Sequence, residues 1–251
     1  MVDFSLYARI VRSLGLRGTS DLLRDRLFSF NNVFLLEKTL SPAPLPNPHR
    51  LKLSISAIEQ KDWDYILERA HLMNKESLRE IFARVLFFRN GFKNCYAVKN
   101  KSGSIAHIQW IVFPEENDLL KTFYSRFFKP LAPYEIMVEN AFTMPEFRGL
   151  GLLGYATIHL LNLGGKLAYK KASSYVRCEK FVSLNELIRL GFNIKRVVPE
   201  YRLLGFTRRV LAEPPKERRI SSFGRTAPLS GASGYGQVPP SGCPVKRRSP
   251  E

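Results

Sequence analysis

The sequence predicts an α/β domain of the α+β kind, with a short helical appendage before it and a disordered tail after it. Three observations predict this. An apolar run, Ile136 to Met144, reads as a strand; Pro145-Glu146-Phe147-Arg148 breaks it, and Gly149-Leu150-Gly151 then opens a segment of helical periodicity. Upstream, Asn94 to Asn100 and Ser104 to Phe113, joined by Lys101-Ser102-Gly103, read as a β-hairpin rich in aromatic and β-branched residues. Strand and helix patterns alternate between residues 51 and 212, whereas residues 213–251 are rich in Pro, Gly, Ser and Arg with little apolar content.

The 251 residues suffice for one sizeable core plus appendages. Hydrophobic residues make up 45% and aromatic residues 12%, a globular composition. No apolar run approaches the roughly 20 residues of a membrane span, and Asp3, Arg9 and Arg12 interrupt any secretory leader. Cys95, Cys178 and Cys243 have no paired spacing, so neither a disulfide framework nor a metal site is expected, and a cytoplasmic location is the default. The net charge of +17 suits nucleic acid, an anionic membrane face or an anionic substrate. Basic residues are spread through the whole chain without a zinc finger, basic zipper or aromatic-basic RNA signature, which argues against nucleic acid.

In chain order, residues 1–50 read as an appendage. Phe4 to Leu14 has helical spacing, and Thr19-Ser20-Asp21 caps a second helix through Leu27. These helices are expected to dock on the main domain, with peripheral membrane contact through Arg9, Arg12, Arg17, Arg24 and Arg26 as the other reading. Four prolines in Ser41 to Arg50 mark an extended linker. Lys52 to Ala57 reads as a strand, Gln60 to Met73 and Glu76 to Phe88 as helices, and Asp118 to Lys129 as a helical insertion. After the central stretch come a strand at Ser173 to Cys178, a helix at Phe181 to Leu190, and two strands at Ile194 to Val198 and Tyr201 to Leu211. His107, alone on its strand, reads as structural.

Three readings compete for Arg148 to Gly154. The glycines can simply permit a tight strand-to-helix turn. They also match G-x-G-x-x-G at Gly149, Gly151 and Gly154, with Glu179 downstream for a ribose hydroxyl. Against this, Pro145 to Arg148 intervene between strand and fingerprint, and the upstream region is hairpin-like.

The third reading is a resemblance. From about Lys52 to Leu211 the chain resembles the GNAT superfamily of acyl-CoA-dependent N-acyltransferases. Its most specific motif is Arg or Gln, two residues, Gly, one residue, then Gly or Ala; Arg148-Gly149-Leu150-Gly151-Leu152-Leu153 supplies the arginine and the first key glycine. The chain departs at Leu153, where the family has a small residue, and has Gly154 one place later. Met144 to Gly149 looks like the family's Pro-Glu-aromatic-Arg-Gly strand exit, and Ser183 to Phe192 resembles its second motif, a serine and helix ending in Leu-Gly-Phe. The resemblance implies a mixed, mostly antiparallel splayed sheet flanked by helices.

It also implies direct attack of an amine on the thioester of acyl-CoA, with acetyl-CoA as co-substrate and no metal. The turn Arg148, Gly149, Leu150, Gly151, Leu152, Leu153, Gly154 would hold the CoA pyrophosphate on helix N–H groups. The strand around Phe142, Thr143 and Met144 would bind the pantetheine arm and the carbonyl oxygen, through N–H groups near Phe142 and Met144. Glu139, nine residues before Arg148, is the expected base, with Glu135 as second candidate on the same strand face. The family often has an acid tyrosine four residues after the serine of the second motif; that place holds Leu187, leaving Tyr155 or a water. The expected acceptor is a small anionic amine such as an amino sugar, because the N-terminal segment with its Leu-Leu-Glu-Lys element looks similar to bacterial GNAT proteins of polysaccharide or lipid-sugar biosynthesis. The alternative is a catalytically degenerate module docking on nucleic acid or an anionic membrane. The sequence specifies no oligomeric state.

Overall fold

The computed structural model describes residues 28–42, 52–203 and 206–211. The helices expected within residues 1–27, most of the proline-rich linker and the tail from residue 212 onward lie outside the described residues.

In chain order the elements are β1 (Phe28–Thr39), β2 (Ser54–Ala57), α1 (Gln60–Glu68), α2 (Lys75–Arg89), β3 (Cys95–Lys99), β4 (Ile105–Val112), α3 (Asn117–Tyr124), β5 (Glu135–Thr143), α4 (Leu152–Lys166), β6 (Lys171–Arg177), α5 (Phe181–Arg189), β7 (Asn193–Leu203) and β8 (Phe206–Arg209). A 3₁₀ turn, Arg69–Leu72, prolongs α1. The strands form one sheet in the order β2-β3-β4-β5-β6-β1-β7-β8. Every pairing among the described strands is antiparallel except β5 with β6. This is the mixed, mostly antiparallel open sheet flanked by helices that the sequence led us to expect.

Two boundaries differ. Phe28–Thr39 is a strand inside the sheet, flanked by β6 on one side and β7 on the other, so this part of residues 1–50 belongs to the domain rather than to an appendage. The physical reason is burial: Val33 and Leu36 are fully enclosed and Phe34 is nearly so. Residues 193–203 form one strand, not two, because Pro199 does not interrupt it. Pro199 sits where the β7–β8 ladder ends, its carbonyl accepting the Val210 N–H at 2.9 Å, so its missing N–H costs no ladder bond.

The sheet divides the core into two layers. On one side α1, α2 and the segment after α3 bury Trp63, Ile66, Ile81, Val85, Phe87, Trp110, Met137 and Phe142. The Phe87 and Phe92 rings stack at 4.0 Å, and Trp110 meets Phe87 edge-on at 5.6 Å. On the other side α4 and α5 cover Phe34, Leu36, Ile136, Val138 and Ala172 with Leu160, Leu161, Leu184 and Leu187. α2 starts where Asn74 accepts the Ser77 N–H at 2.8 Å, a side-chain cap. Gly164 lets α4 lie close to β5, since a Cβ there would stand 2.4 Å from Ile136 Cδ1.

Deleting residues 1–39 removes β1 and splits the sheet, leaving β6 only its three parallel pairs with β5 and β7 only its pairing with β8. The shortened chain is expected to lose its cooperative thermal transition by circular dichroism; a sharp transition would show that β1 is dispensable.

Candidate active site

β5 and β6 run parallel for only three residue pairs, Glu135–Lys171, Ile136–Ala172 and Met137–Ser173. Beyond them β5 stays with β4 as far as Thr143, while β6 stays with β1 as far as Arg177. A wedge therefore opens between the two strands. Just past its apex β5 bulges: Trp110 opposes Glu139 and Ile108 opposes Phe142, so Asn140 and Ala141 share the place opposite Gln109. Asn140 takes a left-handed φ of 54° there, a conformation asparagine tolerates better than most residues.

Arg84 of α2 fixes the bulge. Its Nε donates to the Asn140 carbonyl at 2.9 Å and its Nη2 to the Ala141 carbonyl at 2.5 Å. Burial lowers the guanidinium to about 10, against the pull of Glu80 and Glu139, and it stays a cation at neutral pH.

Glu139 stands at the start of the bulge and spans the wedge. Its Oε1 accepts the β6 backbone N–H of Tyr175 at 2.5 Å and lies 3.5 Å from the Ser174 hydroxyl; its Oε2 accepts the Asn140 N–H at 3.3 Å. Burial raises this carboxyl to about 7, although those hydrogen bonds and the Arg209 charge oppose the shift. A carboxyl poised there exchanges protons near neutrality, as a general base must.

At the far end of β5 the chain turns through Pro145–Phe147 into Arg148 and the glycines. Gly149 (φ 81°) and Gly151 (φ 69°) are left-handed, and nothing lies within 4 Å of where a Gly149 Cβ would be. Gly151 is the N-cap of α4, and the first helical bond runs from the Tyr155 N–H to the Gly151 carbonyl at 3.1 Å. The N–H groups of Leu152, Leu153 and Gly154 come before that bond, at the positive end of the helix. Leu150 is half-buried, Leu152 buried and Leu153 half-buried. Gly154 also makes room for a neighbour on α5: a Cβ there would stand 2.0 Å from Glu186 Oε1.

The expected backbone donors shift by one residue. The Met144 N–H is already spent on the Ala106 carbonyl at 3.0 Å. Phe142, two residues earlier and opposite Ile108, falls in the same bonded phase of the antiparallel ladder. Thr143, opposite His107 in the alternate phase, turns its main chain away from β4 and into the wedge. Its carbonyl meets Arg148 Nε at 3.4 Å and its hydroxyl meets His107 Nδ1 at 2.8 Å. Burial lowers His107 to about 4, so it is a neutral strut beneath Thr143.

The remaining candidates lie elsewhere. Glu135 sits before the strands part, with its carboxylate 3.9 Å from Lys171 Nζ. Tyr155 packs against the edge cluster of Val98, Ala106, Leu152 and Ala156, on the β3–β4 side of the sheet. Leu187 is core, 3% exposed. Among the described residues no group of three or more His, Cys, Asp or Glu could hold a metal ion.

Three side chains around the wedge were not singled out from the sequence. Arg84 carried a signal, since it falls three residues after Ile81 and beside Val85 on the apolar face of its helix, where a charge needs a reason. Tyr175 and Arg209 carried none, because only the sheet order brings them together. The Arg209 guanidinium lies 5.4 Å from the Phe127 and Phe128 ring centres and 5.5 Å from that of Tyr175. Its Nε binds the buried Glu200 at 2.8 Å, and Arg177 meets the same carboxylate at 3.1 Å.

No family model and no curated protein matches the sequence. Solved structures do match. The GCN5-related glucosamine N-acetyltransferase region of a fungal multi-domain β-N-acetylglucosaminidase superposes with a TM-score of 0.51 over 72% of this chain and 22% of that one, at 14% identity. The fold is that of the GCN5-related N-acetyltransferases. A GCN5-related N-acetyltransferase from Sphaerobacter thermophilus matches at 0.48 over 75% of this chain and 56% of its own, at 11% identity. A Drosophila protein matches at 0.45 over 75% and 57%, at 10% identity. The chain thus spans between 22% and 57% of the length of these three. In this GNAT fold the parting of β5 from β6 and the glycine turn after β5 lie together, with Glu139 between the walls.

Because the folded carboxyl of Glu139 titrates at about 7, above its ordinary 4.5, the folded state keeps a proton that the unfolded state releases first. Its stabilising contribution is complete below the unfolded value and is lost as pH rises through 7. Chemical denaturation of the wild type between pH 5 and 8 is expected to lose on the order of 2 kcal/mol relative to Glu139→Gln over that range; parallel profiles would refute the raised value.

Proposed function

We propose that this chain transfers an acyl group, acetyl in the first instance, from acyl-CoA to a primary amine of a small anionic acceptor such as an amino sugar. The observation that carries the reading is the Glu139 carboxyl, raised to about 7 and held across the opening between β5 and β6, on the strand that ends in the glycine turn. The residues suit the co-substrate: open space beside Gly149, left-handed φ at Gly149 and Gly151, and three N–H groups ahead of the first helical bond make a cradle for a diphosphate. Thr143, with its main chain turned into the wedge, suits the amide of a pantetheine arm. When bound, acyl-CoA supplies an activated thioester carbonyl.

The chain's own part is positioning and proton transfer. Glu139 takes a proton from the acceptor's ammonium, directly or through water, so that the amine is nucleophilic where it meets the wedge. Tyr175 N–H and Asn140 N–H orient the carboxylate, and Arg84 holds the bulge rigid behind it. No side chain at the Leu187 position can protonate the leaving thiolate, which fits departure as thiolate or with a proton from water. Arg84, Arg148 and Arg209 surround the site with positive charge, and a net charge of +17 draws anions toward it, which favours an anionic acceptor. No helix among the described residues is long and apolar enough to cross a membrane.

Acetyl-CoA is expected to raise the thermal midpoint of the full chain, and Gly151→Glu, which puts a side chain and a negative charge in the left-handed cap, to abolish the rise. No binding at millimolar acetyl-CoA, with steeply salt-dependent binding to nucleic acid or anionic vesicles instead, would favour the docking-module reading. For Glu139→Gln the expected result is a fall in kcat of about 10²–10⁴, loss of the rate limb near pH 7, and an unchanged KM for acetyl-CoA. Wild-type turnover in that variant would remove Glu139 as the base.

A further inference from the structure

The open end of the wedge is strapped by Arg148 of the glycine turn together with Lys180, Glu76, Ser77 and Glu80, to which the proposed chemistry gives no part. The first two turns of α2 carry Glu76, Ser77 and Glu80. From the β5 side Arg148 Nη2 reaches Ser77 Oγ at 3.2 Å. From the β6 side Lys180, in the connection to α5, sets its Nζ 2.7 Å from Glu80 Oε1 and 3.5 Å from Glu76 Oε1. Burial alone would raise the Glu80 carboxyl, but Lys180, Arg84 and Arg148 together hold it below its ordinary value. Two cations, one from each wall, thus converge on one stretch of α2 beside the glycine turn.

We propose that Lys180 completes the diphosphate cradle of the glycine turn from the opposite wall, and that Glu76 and Glu80 occupy Lys180 as exchangeable stand-ins until the diphosphate of acyl-CoA arrives. The inference rests on the acyltransferase reading above. The exchange is favourable on three counts. Ion pairs with solvent-exposed members are weak, and the Lys180 side chain is 45% exposed, its partners Glu76 and Glu80 79% and 29%. A diphosphate offers more charge and more acceptor oxygens than a carboxylate, and a lysine stem is flexible enough to follow it. Glu80 also keeps a second cation, Arg84 Nη2 at 3.7 Å, so releasing Lys180 leaves no carboxylate unpaired in a half-buried place.

Two substitutions break the same contact and are expected to act oppositely. In titration calorimetry of the full chain with CoA, Lys180→Ala should weaken binding about ten-fold, whereas Glu80→Gln and Glu76→Gln, by freeing Lys180, should each tighten it about two- to five-fold. The same pattern is expected with 3′-dephospho-CoA, which keeps the diphosphate. Lys121→Ala and Asp118→Asn make the same charge changes in the 3.2 Å pair on α3 and serve as controls for net charge. The proposal is overturned if Lys180→Ala and Glu80→Gln shift affinity in the same direction, as a purely structural strap would. It is equally overturned if both merely match the α3 controls, or if the Lys180 effect vanishes with dephospho-CoA; wild-type binding of CoA in any of these cases leaves the acyltransferase reading standing. A wild type that does not bind CoA overturns both.

Discussion

The site depends on one constraint: two parallel strands that share three residue pairs and then separate. Separation strands backbone groups on both walls, and a buried polar group without a partner is costly. The chain answers locally. Glu139 satisfies the Tyr175 N–H on the β6 wall, Arg84 satisfies the Asn140 and Ala141 carbonyls on the β5 wall, and Arg148 meets the Thr143 carbonyl farther out. Each of these groups is ionisable, so the cleft is lined with charge-bearing side chains because its walls are unpaired.

That arrangement also sets the carboxyl's chemistry. A carboxylate accepting two backbone N–H bonds next to an arginine would ordinarily titrate low, yet desolvation between the walls outweighs them and carries Glu139 to about 7. Glu135, on the same face but before the strands part, is tied to Lys171 beside Glu37 in an ordinary ion-pair cluster. Four residues of strand separate a group that closes a sheet from a group suited to proton transfer.

Much of this was legible in the sequence, because strands, helices and the glycine turn each have local signatures. Pro145 to Gly151 announced the turn, and Glu139, an acid within the apolar context of residues 138–142, announced the candidate base. Three things were not legible, for physical reasons. The strand Phe28–Thr39 precedes a proline-rich stretch, so proximity in sequence suggested an appendage, whereas its apolar side chains find their cover more than a hundred residues later in β6 and β7. The bulge shifts which N–H groups face the wedge, and no pattern of side chains records a backbone phase. Gly154 fits the phosphate spacing, but spacing cannot show that the same glycine also makes room for Glu186.

The place of β1 between β6 and β7 bears on how the molecule is made. Val33 pairs with Arg177 and with Val198, contacts of very long sequence separation, and such closures are slow because loop entropy is spent before any contact repays it. During synthesis Phe28–Thr39 emerges early, with both edges open and several apolar residues bare, and waits for almost the whole domain before either neighbour exists. An unsatisfied apolar strand of that kind is a template for pairing with other chains. The same strand that closes the sheet in the finished protein is therefore the segment most in need of protection while the chain is still growing.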